Sequence, residues 1–208
     1  FSCIVDTAES RVSYVAEQCN HHPPISAFYL ENQKKQYCVN GYIWTKSHFT
    51  GNSAMGSMLG KIEVFLPKFD EQYNTIIPAF AGTGLFFGSL RMQLIDKLVF
   101  ECPKTGYKAD IEFHGKSMFG GEYNRVTATI SHNGEVIHHL HGHWDSVYYL
   151  SDAKKQNETE FLDVTKLTVL PKKVLDVPYE GPFESRRLWS KVTEAIRRPE
   201  GPDWKTVE

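Results

Sequence analysis

The sequence contains few cysteines and no long apolar run. Its 208 residues include only Cys3, Cys19, Cys38 and Cys102, and no two of them have the C-x-x-C spacing of a redox or zinc motif. Four thiols are too few to crosslink a chain of this length, so we expect them to be reduced and the protein to be cytoplasmic. No apolar stretch approaches the roughly 20 residues of a spanning helix, and no signal peptide is recognisable. Any membrane contact is therefore expected to be peripheral.

An excess of positive charge is also missing. The chain carries 23 Lys and Arg against 25 Asp and Glu, for a formal net charge of −2. Because nucleic-acid-binding domains usually show a basic excess or stripe, we expect no nucleic-acid partner. The 41% hydrophobic and 13% aromatic content is that of a folded domain and excludes disorder. The chain begins at Phe1 rather than at a methionine, so we expect it to be part of a longer protein.

Short β-type runs separated by Gly, Asn and Pro turn signals fill residues 26–150. The predicted strands are Ser26–Leu30, Tyr37–Thr45, Lys61–Leu66, Tyr73–Ile77, Leu85–Leu94, Lys97–Glu101, Tyr107–Phe113, Arg125–Ser131, Glu135–His141 and Trp144–Leu150. Asn133-Gly134 predicts a tight hairpin, because both residue types tolerate positive φ. Ten strands without intervening helices favour a large antiparallel sheet that curls toward closure. The predicted fold is mainly β: one domain over residues 1–208, with the barrel strands in residues 1–150.

Residues 151–208 have a different character. Their first part is polar, and three prolines then interrupt a segment that we expect to wrap around the barrel. A helix is predicted over Glu184–Arg198, where Leu188, Val192 and Ile196 recur at helical spacing. Apolar stripes on helices usually face a core, so we favour a packing helix over a membrane-surface helix.

Adjacent histidines stand before two prolines at His21-His22-Pro23-Pro24. The prolines fix their own φ and push the preceding residue into an extended conformation, so His22 is predicted to lie on a stiff segment. A protonated imidazole has two N–H donors and a positive charge, and a nearby phosphate favours that form. From the residues alone two interpretations stay open, an anion contact or a loop corner in which the ring nitrogens bond backbone carbonyls.

A second histidine group lies at His138-His139-Leu140-His141-Gly142-His143. In a strand, His139, His141 and His143 would share one face and could hold a zinc ion with an open fourth position. The alternative function is therefore a zinc-dependent hydrolase. Against it, the hydrolase spacing H-x-H-x-D-H is not met, because Trp144 follows His143, and Gly142 is a candidate bulge. The other interpretation is a strand of solvent-facing or hydrogen-bonded histidines.

Other enzyme signals are weak. No G-x-S-x-G elbow occurs, and Gly82-Thr83-Gly84 lacks the strand-then-helix context of a nucleotide site. Cys19 lies near His21 but has no third orienting group. We therefore expect a protein that is not an enzyme and needs no cofactor or metal.

The stretch from Glu17 to Tyr29, E-Q-C-N-H-H-P-P-I-S-A-F-Y, resembles the E-Q-V-S-H-H-P-P fingerprint of the oxysterol-binding-protein-related lipid-transfer proteins. Cys19 and Asn20 depart from the Val and Ser of that fingerprint but leave the histidine donors intact. Further matches follow in the family's order at Lys46–Ser53, Cys102–Ala109, Phe119-Gly120-Gly121, Gly142–Asp145 and Glu184–Trp189. The resemblance therefore covers the whole chain.

The resemblance implies an antiparallel β-barrel that encloses an apolar tunnel for one lipid. It implies phosphatidylinositol 4-phosphate as one ligand and a sterol or phosphatidylserine as the exchanged one, with His21 and His22 matching the pair that contacts the phosphate. Such a protein would work at membranes or membrane contact sites and would need no covalent step. The segment from Cys102 to Phe113 is slightly more similar to the phosphatidylserine-carrying branch.

Two expected parts of the family pattern do not occur in this sequence. One is the N-terminal lid with early strands and an N-P-L-L-G-E-type motif, and the other is a downstream helix with a K-x-x-x-E-E-x-Q-R-like pattern. We therefore expect an incomplete barrel, whose remaining lid and strands belong to the same domain outside the 208 residues.

Overall fold

A computed structural model describes residues 1–86, 89–116, 120–198 and 201. These residues form one large antiparallel sheet and two short helices. The strands are β1 Ser2–Asp6, β2 Arg11–Asn20, β3 Ile25–Asn32, β4 Tyr37–Thr50, β5 Ser53–Leu66, β6 Glu71–Thr75, β7 Ala79–Thr83, β8 Arg91–Cys102, β9 Tyr107–His114, β10 Arg125–His132, β11 Glu135–His143, β12 Val147–Asp152, β13 Thr159–Asp163 and β14 Lys172–Lys173; the helices are α1 Ser185–Leu188 and α2 Ser190–Ile196.

The sheet is a meander in which most sequence neighbours pair. Its order is β13-β12-β11-β10-β9-β8-β6-β5-β4-β3-β2-β1-β14, and β7 pairs with both β5 and β8. Every pairing is antiparallel, which confirms the predicted mainly-β fold class. Among the described residues the two terminal strands, β13 and β14, do not pair with each other, so the sheet stays open between them.

One face of the sheet carries rows of apolar side chains. Residues directly opposite one another in an antiparallel sheet share a face, so the strand registers define these rows. One row crosses β8 to β12 at Leu98, Ile111, Ala128, Leu140 and Leu150, and another crosses β2 to β6 at Tyr14, Leu30, Val39, Val64 and Tyr73. Burial and the Glu71 carboxylate raise the pKa of Tyr73 to about 12, so its phenol is neutral on this face. We call this the apolar face.

The opposite face is polar. Its rows alternate with the apolar rows, as in Lys97, Glu112, Thr127, His141 and Tyr149 across β8 to β12. The apolar face is only partly covered, since Leu98 is buried but the other four members of its row are half-buried. The sheet therefore separates a polar surface from an apolar one that has room for further contacts.

The sheet differs from the predicted strands at its beginning and in its middle. β1 and β2 were not predicted, and β2 ends in the polar residues from Glu17 to Asn20. The predicted strand Leu85–Leu94 is wrong in its first part: β7 ends at Thr83 and β8 begins at Arg91, so of this prediction only residues 91–94 lie in a strand. Residues 87 and 88 of that prediction lie outside the described residues. β8 also continues through Asp96, which has a φ of 102°, so the two predicted strands Leu85–Leu94 and Lys97–Glu101 share one strand.

The C-terminal segment differs as well. The predicted strands end at Leu150, but β13 and β14 extend the sheet beyond it. The predicted helix is divided into α1 and α2 at Trp189, whose ψ of 12° departs from helical values. Leu188 and Ile196 are more than half exposed and Val192 is half-buried, so the predicted stripe does not pack into a core; the buried residue of α2 is Ala195, which was not part of that stripe. None of the helices in the described residues has the length and apolar character needed to cross a bilayer.

Asp6 joins the edge of the sheet to the C-terminal segment. Its carboxylate accepts hydrogen bonds from Arg11 Nε at 2.8 Å and from Lys173 Nζ at 2.7 Å. These two donors lower the pKa of Asp6 from 3.8 to about 2. Asp6 thus connects β1 with β2 on one side and with β14 on the other.

Replacing Asp6 by Asn is expected to lower the free energy of unfolding slightly at neutral pH, because Asp6 is partly exposed, both of its cationic partners are exposed, and solvent screens the ion pairs. A carboxyl group whose pKa is lowered in the folded state stabilises that state at pH values above its ordinary, unfolded-state pKa. This stabilisation is lost as the pH falls through the folded-state pKa. The gap between wild type and Asp6→Asn should therefore shrink as the pH falls from about 3.8 to about 2. Denaturant titrations over this range test it, with the exposed Asp176→Asn as control. A gap that does not depend on pH contradicts the assignment.

Candidate functional site

His21 and His22 lie in the tight connection between β2 and β3. Residues 21–24 form a turn, and the His22–Pro23 peptide bond is cis. The two imidazole centroids are 4.2 Å apart, with an angle of 44° between the ring planes. Asn20 Nδ2 donates a hydrogen bond to the Pro23 carbonyl at 3.1 Å and closes the turn. The sequence prediction that the histidines lie just before a strand is confirmed, and the structure brings both rings together.

Both imidazoles are exposed and keep their nitrogen atoms available. Within the described ranges neither ring makes a hydrogen bond or an ion pair with another protein group, whereas His114 bonds the Thr127 hydroxyl at 2.8 Å. The loop-corner interpretation, with ring nitrogens on backbone carbonyls, therefore does not describe this turn. Two neighbouring rings with free nitrogen atoms can donate to one anion when they are protonated.

A lysine lies on the strand that continues beside the turn. Ile25, the first residue of β3, is paired with Trp44 of β4, so β4 runs on past the turn toward Lys46. Lys46 Nζ lies 4.9 Å from the centroid of the Trp44 ring, and both Lys46 and His48 are exposed. The histidine turn thus occupies an end of the sheet that also carries a lysine and a further exposed histidine.

The histidines of β11 share a face, as predicted, because His139, His141 and His143 are paired with Thr129, Thr127 and Arg125. They lie on the polar face, and Gly142, with φ of 149°, stays in register opposite Val126. His139 and His141 line a groove of about 680 Å³ on this face. The register irregularity of this pair of strands falls at Ile130 and Ser131 rather than at Gly142.

Each of these three histidines has a partner of its own. His141 Nε2 lies 2.7 Å from Glu158 Oε2, His143 Nε2 lies 3.2 Å from Glu122 Oε2, and His139 Nδ1 lies 3.4 Å from Thr129 Oγ1. In the part of the chain that the structure describes, no three His, Cys, Asp or Glu side chains are grouped so that they could hold a metal ion. The arrangement of these side chains does not favour the zinc-hydrolase alternative.

Comparisons with known proteins identify the family. The family model described as oxysterol-binding protein matches residues 1–199. The chain belongs to the oxysterol-binding protein family. Human oxysterol-binding protein-related protein 11 is 41% identical over 192 residues, which are 91% of the chain and 25% of that protein. Human oxysterol-binding protein-related protein 10 is 40% identical over 190 residues, 90% of the chain and 24% of that protein. The chain spans about a quarter of the length of these relatives.

Solved structures share the fold. The Osh1 ORD domain in complex with ergosterol is similar with a TM-score of 0.65 and 20% identity, over 76% of this chain and 38% of that one. The Osh3 ORD from Saccharomyces cerevisiae in complex with PI(4)P is similar with a TM-score of 0.61 and 19% identity, over 78% of this chain and 43% of that one. The open sheet therefore has the architecture of the β-barrel in these domains.

The other segments that resemble oxysterol-binding proteins serve the fold. The turn within Cys102–Ala109 connects β8 with β9, and the Gly106 carbonyl accepts a hydrogen bond from the Asn133 backbone N–H at 2.9 Å, which ties this turn to the predicted Asn133-Gly134 hairpin. Glu184–Trp189 contains α1, where Arg186 pairs with the buried Glu180 at 2.6 Å. Phe119 lies outside the described residues.

Replacing Asn20 by Ala is expected to loosen the histidine turn without unfolding the sheet. The substitution removes the hydrogen bond to the Pro23 carbonyl, worth about 1 kcal/mol locally, at an exposed position where global effects stay within about 0.5 kcal/mol. NMR relaxation of the imidazole Cε1–H groups of His21 and His22 should show lower order. Asn157→Ala, which removes the Asn157–Asp152 bond of 2.8 Å, is the control. Unchanged order of the two rings in Asn20→Ala contradicts the role of this bond.

Proposed function

We propose that the chain is the lipid-carrying part of a cytoplasmic, peripheral lipid-exchange protein. His21 and His22 bind the phosphate of phosphatidylinositol 4-phosphate, and the apolar face holds the hydrocarbon part of one lipid at a time. The observation that supports this proposal most directly is the pair of exposed imidazoles, 4.2 Å apart and without a partner in the described residues, at one end of a two-faced sheet.

The histidine geometry suits a phosphate group. A phosphomonoester presents several acceptor oxygens, and two adjacent imidazolium rings can each donate an N–H to it. Charge-assisted hydrogen bonds of this kind are shorter and stronger than neutral ones. The turn residues Pro23 and Pro24 limit the conformations of the segment, which lowers the entropy lost when the rings are immobilised by a ligand.

The apolar face suits a hydrocarbon chain. Burying a methylene group is worth about 0.8 kcal/mol, so a lipid tail placed against half-buried apolar rows gains several kcal/mol. The row from Leu98 to Leu150 offers such a surface across five neighbouring strands. This binding requires no bond breaking, which is consistent with a carrier that is not an enzyme.

The relatives agree with this class of ligand. The similar Osh1 structures hold ergosterol or cholesterol, and the similar Osh3 structure holds PI(4)P. For this chain we propose phosphatidylinositol 4-phosphate and, as the exchanged lipid, a sterol or phosphatidylserine. The remaining lid and strands of the same domain would supply further headgroup ligands, and exchange would take place during transient contact with membranes or at membrane contact sites.

Replacing both His21 and His22 by Ala is expected to abolish extraction of phosphatidylinositol 4-phosphate from liposomes by the full-length protein. Two lost hydrogen bonds to a charged group are worth about 3 kcal/mol or more together, or roughly a hundredfold in affinity. The pair His139 and His141 on the polar face, replaced by Ala in the same way, is the matched control and should extract normally. Extraction by the His21 and His22 variant at the wild-type level would refute the proposed headgroup contact.

Replacing Ala128 by Trp should block the apolar face without touching the histidines. Ala128 lies in the middle of the row from Leu98 to Leu150, so an indole there fills the space that a lipid tail needs. If the steric clash with the lipid costs the 1–3 kcal/mol typical of overpacking, lipid affinity should fall roughly 5- to 150-fold, while binding of soluble inositol phosphate persists. Thr129→Trp, on the polar face of the same strand, is the control. Normal lipid uptake by the folded Ala128→Trp variant would show that lipid lies elsewhere.

A further inference from the structure

A group of exposed apolar side chains lies at the end of the sheet that carries the histidine turn. Phe49 is 75% exposed near the tip of the β4–β5 hairpin. Phe86, Leu90 and Met92 are 74%, 70% and 69% exposed, in the connection from β7 to β8 and at the start of β8. Neighbouring strands are antiparallel, so the end where β3 begins is also the end where β4 ends, β5 begins, β7 ends and β8 begins.

Hydrogen bonds join these apolar residues into one surface. The Asn52 backbone carbonyl accepts from the Leu85 N–H at 3.2 Å, and Asn52 Oδ1 accepts from the Phe86 N–H at 2.6 Å. The hairpin tip is therefore fastened to the connection between β7 and β8. Pairing of Ser53 with Thr83 continues the same attachment into the sheet.

Two cations accompany the apolar residues. The Arg91 guanidinium carbon lies 4.6 Å from the centroid of the Tyr123 ring, and Lys116 Nζ lies 4.2 Å from the same centroid. Neither cation pairs with a carboxylate of the described residues. Two positive charges drawn to one ring repel each other, and a bound anion would relieve that repulsion.

Acidic residues are few in the segments that form this end. They include Glu17 near the end of β2, Asp145 after β11, and Glu122, whose carboxylate lies 3.2 Å from His143 Nε2. The sequence has no Asp or Glu in residues 32–62, 72–95 or 113–121. The opposite end differs: there the exposed Phe69 has Lys68 Nζ 5.5 Å from its ring, but Asp70 and Glu71 follow directly. The charge of the histidine end therefore favours a negatively charged partner.

We propose that Phe49, Phe86, Leu90, Met92, Arg91, Lys116 and Tyr123, here called the apolar-basic tip, dock the protein on an anionic phospholipid bilayer. The apolar side chains enter the interfacial layer, and the two cations contact lipid phosphates. This inference rests on the proposed function in one respect. If the protein exchanges lipid, docking by the tip brings the histidine turn, at the same end of the sheet, to the membrane that supplies or receives the lipid.

Vesicle flotation of the full-length protein tests this proposal. The vesicles contain phosphatidylcholine alone or phosphatidylcholine with phosphatidylglycerol, an anionic lipid that is not among the proposed cargoes. Because each cation near an anionic surface is worth about 1 kcal/mol, the double variant Arg91→Gln and Lys116→Gln should bind the anionic vesicles roughly 30-fold more weakly. Phe86→Ser with Leu90→Ser should weaken binding to both kinds of vesicle.

The matched control is Lys68→Gln with Phe69→Ser, which removes the same types of side chain from the opposite end and should leave vesicle binding unchanged. Arg91→Lys keeps the charge and should retain binding, so a loss confined to the Gln variant is not caused by misfolding. A tryptophan placed by Leu90→Trp should show a blue-shifted emission when anionic vesicles are added. Equal vesicle binding by the wild type and both tip variants would overturn the proposal.

Further arms separate this proposal from the headgroup proposal. The His21→Ala and His22→Ala variant should still bind phosphatidylglycerol vesicles, and the Arg91 and Lys116 variant should still bind a soluble short-chain phosphatidylinositol 4-phosphate. Inorganic phosphate and sodium chloride should displace the protein from vesicles to the same extent at equal ionic strength. Greater displacement by phosphate would show a site for free phosphate and overturn docking on the bilayer. Self-association that the tip variants abolish, without vesicle binding by the wild type, would also overturn it.

Discussion

The pairing of β4 with β5 is the constraint on which the rest of the structure depends. It is continuous from Cys38 opposite Phe65 to Thr50 opposite Ser53, the longest register in the sheet. On one side β4 positions β3, and therefore the turn with His21 and His22. On the other side β5 pairs with both β6 and β7. Because a shift of one residue would move every side chain to the other face, this register decides which residues face a ligand and which face solvent.

Position, rather than residue type, separates the two histidine groups. The imidazoles of His139, His141 and His143 lie on the polar face, and their ring nitrogens contact Thr129, Glu158 and Glu122 respectively. His21 and His22 stand in a turn beyond the ends of their strands, where no described protein group engages them. A lipid needs an apolar surface and a polar anchor, and the chain has an apolar face along its strands and the histidine turn at an end of them. The same end carries the apolar-basic tip, so headgroup binding and membrane docking would act from one direction.

Local signals made much of the sheet predictable. Asn133-Gly134 gave the hairpin between β10 and β11, because both residues adopt positive φ there. The predicted strands Tyr107–Phe113 and Arg125–Ser131 fall within β9 and β10. Turn residues on either side marked the ends of these strands. β2 was missed because its last residues are polar and its strand character comes from pairing with β1 and β3, which no local pattern reveals. The apolar run around Leu85 and Leu90 was wrongly predicted as a strand because apolar residues are typical of strands. In the structure the backbone of Leu85 and Phe86 instead bonds Asn52 of the β4–β5 hairpin, which is remote in sequence.

The site was predictable only in part. Adjacent histidines before two prolines indicated a stiff segment, but the residues alone left the anion contact and the loop corner equally open, and the phosphate role came from the resemblance to the lipid-transfer family. The common face of His139, His141 and His143 followed from strand alternation. Their partners did not, because Glu122 and Glu158 belong to connections that are remote in sequence from β11. Whether such histidines are grouped around a metal ion or paired one by one therefore depends on where the connecting segments lie in the folded chain.

The most direct measurement of the central claim is mass spectrometry of the lipids that copurify with the full-length protein from cells. If one sheet face holds a lipid tail and the histidine turn holds a headgroup phosphate, a phosphatidylinositol monophosphate should copurify at no more than one molecule per chain. A separate pool should contain a sterol or phosphatidylserine, because both lipids compete for the same face. Protein that carries no lipid, or that carries a phosphoinositide and a second lipid together on one chain, would contradict the account.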